Sequence, residues 1–261
     1  MQVFILAAGQ GTRLAPLTND RPKCLVELLG MSLLDRQISV FRQYKLSDIT
    51  IITGYKSEKL ENTGYNTIKN EHYAHTNMVA TLFCASDIIK ETDDLIISYG
   101  DIVFEPRVLQ SLLSCPSPVA VITDRQWEAY WAFRMAEPLN DAETFKTDGS
   151  GKLIELGKKP VSRDDIQGQY IGLLKVRKDY IAKMKALYYS MDRSIKYDSK
   201  DFPNMFMTSF IQYMIDSGWH VQAVPVNNGW LEIDTVSDLD LYHSLHREDR
   251  LKAFYHLSSS L

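Results

Sequence analysis

Along the first half of the chain, short continuous apolar runs alternate with stretches whose apolar residues recur every three or four positions. Val3–Ala8, Ile49–Thr53, Leu95–Ser98 and Val119–Thr123 are such runs, the pattern of strands buried on both faces. Leu33, Leu34, Ile38, Phe41 and Leu46 form one helical face, and Val79, Leu82, Phe83, Ile88 and Ile89 form another within 78–89. Strands alternating with helices predict an α/β fold with a doubly wound sheet, whose ligands lie at the carboxyl ends of the strands. Gly9 and Asp101 both follow such ends.

After about residue 124 the pattern shortens. Tyr130–Met135, Thr144–Thr147 and Lys152–Leu156 read as brief strands, with Asp148-Gly149-Ser150-Gly151 as a turn between the last two. They predict a small antiparallel insertion over one end of the sheet. Tyr170–Val176 and Trp219–Val226 read as further strands, and 178–189, 205–217 and 235–247 as helices. The segment from Glu248 to Leu261 fits either a docking helix or a frayed end. With no repeat or long linker, the chain reads as one domain, 1–261. The change of pattern divides it into halves at about 1–124 and about 125–261.

The chemistry is densest just after the first strand, in Leu6-Ala7-Ala8-Gly9-Gln10-Gly11-Thr12-Arg13-Leu14, followed by Pro22-Lys23. Paired glycines let backbone N–H groups approach an anion closely. Arg13 and Lys23 add two cations, a combination that suits a polyphosphate. The letters exclude the common alternatives. There is no G-x-x-x-x-G-K-[ST] loop, and Leu14 stands where a dinucleotide fingerprint needs its third glycine. Pro16 also argues against a helix starting at Thr12. Two places offer carboxylates for a divalent cation. Asp101 ends an apolar strand, and Glu232-Ile233-Asp234 puts two acids on one face if extended.

The run A-A-G-x-G-T-R-L-x-P-L-T-x-x-x-P-K, Ala7 to Lys23, resembles the signature of nucleotidyltransferases that make NDP-sugars and CDP-activated small molecules. The resemblance implies a Rossmann-like mixed sheet of the nucleotide-diphospho-sugar transferase type. It also implies an Mg²⁺ cofactor held by Asp101 and Asp234, with Glu232 as a third candidate. Arg13 and Lys23 become the catalytic cations. Leu6, Ala7, Ala8, Gly9, Gly11 and Thr12 become the nucleotide loop. Thr76-Asn77 through Thr81-Leu82 resembles the T-N-x-x-x-S-L element of cytidylyltransferases acting on phosphocholine and related small phosphates. This favours CTP and assigns Asn77 and Thr81 to the nucleotide.

Glu155-Leu156-Gly157-Lys158-Lys159 and Gly168-Gln169-Tyr170-Ile171-Gly172 resemble elements of the same group. Lys158 and Lys159 are then candidates for the acceptor's phosphate or phosphonate, with Trp131 and Tyr170 beside it. A choline cage requires a neighbouring Tyr and Trp on a later helix. Thr208 and Ser209 stand near that place, which points to a more polar acceptor such as phosphoglutamine, phosphoethanolamine or aminoethylphosphonate. The competing expectations are a sugar-1-phosphate nucleotidyltransferase serving surface polysaccharide and a non-catalytic nucleotide-binding regulator.

Composition narrows the partners. A net charge of −4 over 261 residues leaves no basic footprint for nucleic acid. No apolar run approaches membrane-spanning length, so a cytoplasmic protein without a membrane partner is expected. Three scattered cysteines, Cys24, Cys84 and Cys115, fit free thiols rather than a disulfide framework. Nothing in the sequence fixes the oligomeric state, and a homo-oligomer stays open.

Overall fold

A computed structural model describes residues 1–61 and 63–257. Its central sheet has seven strands. In chain order they are β1 (Gln2–Ala7), β2 (Asp48–Thr53), β3 (Asn66–Lys69), β4 (Leu95–Tyr99), β5 (Val119–Asp124), β6 (Gln169–Val176) and β7 (Val221–Val226). The spatial order is β7-β5-β6-β4-β1-β2-β3. Six strands run one way. β6 is antiparallel to both of its neighbours, β4 and β5. The sheet is therefore mixed, and it takes strands from both sides of residue 124.

Helices cover both faces. They are α1 (Leu33–Gln43), α2 (Met78–Phe83), α3 (Pro106–Ser114), α4 (Trp127–Arg134), α5 (Lys178–Ser190), α6 (Met207–Asp216) and α7 (Val236–Arg247). Strand alternation divides the core in two. Val3, Ile5 and Ala7 of β1 point to the layer holding α1, α3, α4 and α7. Phe4 and Leu6 point to the layer holding α2, α5 and α6. This two-sided burial is why β1 reads as an unbroken apolar run.

The order in which the chain adds strands to the sheet reverses between the parallel neighbours β1 and β4. From β1 the chain winds outward to β2 and β3, and it returns to β4 on the other side. A crevice at the carboxyl ends of β1 and β4 follows from this topology.

The second half corrects one expectation. Residues 130–135 are not a strand: 130–134 belong to α4, and Met135 is the extended residue that ends it. The aromatic content suggested β structure, yet Trp127, Tyr130 and Trp131 sit at i, i+3 and i+4, a helical face, and all three are buried. The insertion itself is present as an antiparallel pair, Phe145–Thr147 with Leu153–Leu156. Its turn is tied by Asp148 Oδ1, which accepts from the N–H groups of Ser150 and Lys152.

The last described residues form neither a docking helix nor a frayed end. Leu251, Phe254 and Tyr255 are buried in the core, and Gly229 N–H donates to the Phe254 carbonyl. Residues 258–261 lie outside the described part. The thiols are free; Cys24 is buried and Cys84 exposed. No described helix is long and apolar enough to cross a membrane.

Candidate active site

The loop after β1 folds back on Lys23. Gly11 adopts φ 61°, and a Cβ there would come within 3.0 Å of Lys23 Cβ, so glycine is required both for the backbone and for the approach. Thr12–Leu14 then forms one 3-10 turn. At the end of β4, Gly100 donates its N–H to the Leu6 carbonyl at 2.9 Å. A Cβ on Gly100 would stand 2.8 Å from that same oxygen. The two strand ends are thereby locked together with Asp101 facing the loop. Gln37, fully buried on α1, braces this turn by donating to the carbonyls of Tyr99 and Ile102 at 2.9 and 2.8 Å.

Asp234 reaches the same place from more than a hundred residues away. Trp230–Glu232 pairs antiparallel with Ile102–Phe104, and Ile233 N–H donates to the Asp101 carbonyl at 3.0 Å. The Asp101 and Asp234 carboxylates thus flank one point, and Lys23 Nζ donates to both at 2.8 Å. Arg13 Nη2 lies 2.5 Å from the other oxygen of Asp234, with its side chain largely exposed at the mouth. Burial works against the Lys23 charge. The carboxylates of Asp101, Asp234 and Glu232 outweigh it and hold the ammonium above the ordinary lysine range. Asp101 Oδ1 is enclosed and has no hydrogen-bond partner among the described residues.

This oxygen, with Asp234 beside it, fits a hard divalent cation that takes one or two protein carboxylates and fills its shell with water and phosphate. No group of three or more candidate ligands is present among the described residues. Glu232 is engaged elsewhere: its Oε2 accepts from Arg134 Nη1 at 2.6 Å. Arg134, also paired with Asp238 at 3.0 Å, is almost fully buried. Asp238 in turn accepts from the N–H groups of Asp234 and Thr235, which sets the start of α7.

Leu6, Ala7, Ala8, Gly9, Lys23, Asn77, Thr81 and Asp101 line one cavity. Gly11, Thr12 and Arg13 lie beside it rather than in its wall. Asn77 caps α2, its side-chain carbonyl accepting from Met78 N–H at 2.8 Å.

Through Met78 and Tyr99, which border both, this cavity adjoins a second cleft. Trp131, Tyr170 and Glu232 line it, together with Asp141, Glu143, Gln169, Thr208 and Trp230. The Tyr170 hydroxyl is enclosed with no well-formed hydrogen-bond partner among the described residues, and its ring meets Tyr99 edge-on at 5.8 Å. Burial first, then the charges of Asp141 and Asp198, pushes the Glu143 carboxyl up to about 7. Lys158 and Lys159 are absent from the lining of this cleft. Lys158 Nζ pairs with Glu155 at 3.1 Å, and Lys159 Nζ donates to the carbonyls of Leu139 and Asn140. Sequence reasoning missed Asp141 and Glu143, although they repeat the two-residue spacing that drew attention to Glu232 and Asp234.

Comparison with known proteins agrees with this geometry. A MobA-like NTP transferase domain matches residues 3–187. The CTP:phosphoglutamine cytidylyltransferase of Campylobacter jejuni is 42% identical over 251 residues, covering 92% of this chain and 98% of that protein. Two solved structures share the fold. The inositol-1-phosphate CTP transferase from T. maritima has a TM-score of 0.71 and 18% identity, over 98% of each chain. The CTP:phosphocholine cytidylyltransferase from Streptococcus pneumoniae has a TM-score of 0.67 and 19% identity, over 95% of this chain and 98% of that one. With its signature loop, its mixed sheet and a domain match over most of its length, this chain belongs to the MobA-like NTP transferase family.

Proposed function

We propose that the protein transfers CMP from CTP to the phosphate or phosphonate oxygen of a small amine- or amino-acid-like acceptor, releasing pyrophosphate. The observation that carries this reading is the joining of two unlike spaces. A glycine-walled cavity with Lys23 at its floor adjoins an aromatic cleft bearing Asp141 and Glu143. An acceptor carrying an ammonium group suits the second space, since none of the residues lining it is cationic. A sugar 1-phosphate offers Asp141 and Glu143 no cation to meet. Among amine acceptors phosphoglutamine is favoured, because the relative matching 92% of this chain is named for it.

The attacking oxygen is already anionic near neutral pH, so no general base is required, and catalysis rests on positioning and charge. Lys23 leaves the two carboxylates for the α-phosphate, where charge develops. Arg13, at the mouth, holds the β- and γ-phosphates and the departing pyrophosphate. Asp101 and Asp234 hold Mg²⁺, which when bound neutralises phosphate charge.

Pyrophosphate release, measured for each of four nucleoside triphosphates against each acceptor, tests the proposal. The acceptors are phosphoglutamine, phosphoethanolamine, aminoethylphosphonate, phosphocholine and several sugar 1-phosphates. CTP with an amine-bearing phosphate is expected to be fastest. A sugar 1-phosphate as the best acceptor overturns the reading.

A further inference from the structure

Asn70 follows β3 and is buried, 3% exposed. It touches neither of the two spaces described above, yet its side chain is fully engaged. Oδ1 accepts from His72 N–H at 3.0 Å. Nδ2 donates to Thr76 Oγ1 at 2.9 Å and to Thr81 Oγ1 at 3.0 Å. Flipping the amide would set its NH₂ group against the His72 N–H, so the backbone fixes which end faces the threonines.

A hydroxyl has one hydrogen. Thr76 spends its own on the His72 carbonyl at 3.0 Å. Thr81 accepts from Asn70, so its hydrogen must leave in another direction. Among the described residues no acceptor takes it. The helical carbonyl of Asn77 accepts from the Thr81 N–H at 2.9 Å, and the Thr81 hydroxyl makes no bond to it. Thr81 lines the nucleotide cavity together with the backbone of Leu6–Gly9. Cytosine accepts a hydrogen bond at N3, whereas uracil and thymine carry N–H there.

We infer that Asn70 is a positioning residue for base selection: it holds the Thr81 hydroxyl as a donor toward N3 of cytosine and opposes it to the N3–H of uracil. The inference rests on the CTP reading given above. A donor set against a donor leaves both unpaired in a closed space, which disfavours UTP by about ten- to hundredfold.

The test is the ratio of kcat/KM for CTP to that for UTP, measured on the full chain with the best acceptor. A ratio taken on one preparation is unaffected by the fraction of folded enzyme. Asn70→Asp replaces the donor by an acceptor and draws the Thr81 hydrogen away from the base. The ratio is expected to fall about tenfold or more. Asn70→Ala frees the hydroxyl and lowers the ratio less. Thr81→Ser retains it, and Thr81→Val abolishes most of it. Should Asn70→Asp fail to fold, judged by circular dichroism, a double-mutant cycle still decides. If Asn70 acts through Thr81, adding Asn70→Ala to Thr81→Val changes the ratio no further.

An unchanged ratio in Asn70→Ala, or a further loss in the double variant, overturns the inference while leaving the CTP reading intact. A wild-type enzyme that prefers UTP overturns both, and does so before any variant is made.

Discussion

The nucleotide cavity and the acceptor cleft adjoin each other but are built on opposite plans. Most of the cavity wall comes from two strand ends and one helix start: Leu6–Gly9, Tyr99–Asp101 and Thr76–Thr81. Its wall mixes the small residues Ala7, Ala8, Gly9 and Gly100 with the larger Tyr73 and Met78, and its charges are the paired Lys23 and Asp101. The cleft draws on more segments, among them Trp131 on α4, Asp141 and Glu143 on a loop, Gln169–Gly172 on β6 and Phe206–Thr208 at the start of α6. Its free charge is negative. A phosphate cradle can be made locally, because backbone N–H groups and a glycine turn are enough. Recognition of a small organic acceptor needs side chains converging from several directions, which only tertiary folding supplies.

The comparison is tested hardest at Lys23. Lys23→Ala is expected to lower kcat by about 10²–10³, the loss usual for a group that meets developing charge. CTP binding should weaken far less, because the glycine loop and Arg13 remain. Equal losses in steady-state kcat and in the CTP dissociation constant would mean that Lys23 only binds.

Arg134 comes next, on the cleft side. Its guanidinium is buried between Glu232 and Asp238, and its Cζ lies 5.7 Å from the Trp131 ring centroid. Arg134→Ala leaves two carboxylates without their cation. A stability loss of about 3–5 kcal/mol in denaturant unfolding is expected. Because Asp238 also fixes the N–H of Asp234, the Asp234 carboxylate should shift as well. A loss below about 1 kcal/mol would show the pair to be solvent-screened and the cleft to be less closed than drawn.

These two residues also show how much the sequence conceded. Lys23 and Asp101 were legible because a contiguous motif and a strand end announce them. Asp234 was flagged by its spacing from Glu232 and favoured by the resemblance; what places it is the pairing of Trp230–Glu232 with Ile102–Phe104, a long-range contact with no local signal. Arg134 carries no local signal in the sequence, and only the fold buries its side chain. The α4 segment was misread because aromatic residues favour strands in isolation, and its helical spacing was overlooked. Lys158 and Lys159 looked like phosphate ligands, since two cations beside a glycine resemble an anion site. Their partners, Glu155 and the carbonyls after Pro138, are visible only in the fold.

Glu143 gives a smaller effect with a distinctive pH signature. Its carboxyl is pushed up to about 7 by burial, with Asp141 and Asp198 adding to the effect. A carboxyl raised in the folded state binds protons there that the unfolded chain releases. Its contribution to stability therefore falls as pH rises from the ordinary glutamate range through about 7, and levels off above. An ammonium acceptor requires the ionised form, so the acceptor's KM should fall across the same window. Glu143→Gln should raise that KM about tenfold at pH 8, flatten its pH dependence and leave the KM for CTP unchanged. A KM for the acceptor that is independent of pH between 6 and 8 in the wild type would remove Glu143 from the cleft's recognition chemistry.

The smallest effect is expected at Tyr170, where stability and function should move in opposite directions. Its hydroxyl is enclosed and has no well-formed hydrogen-bond partner among the described residues, and a buried donor in that state costs about 1–3 kcal/mol. Tyr170→Phe removes the cost and keeps the ring that packs edge-on against Tyr99. The free enzyme should become more stable by about 1 kcal/mol, a rise in Tm of roughly 2–4 °C for a chain of this size. If the hydroxyl is kept because the acceptor supplies its partner, the acceptor's KM should rise a few-fold in the same variant. A stabilised enzyme with unchanged acceptor kinetics would make the hydroxyl a plain packing defect. The cleft would then read its acceptor by charge and aromatic surface, sharpening its contrast with a nucleotide cavity that reads by directed hydrogen bonds.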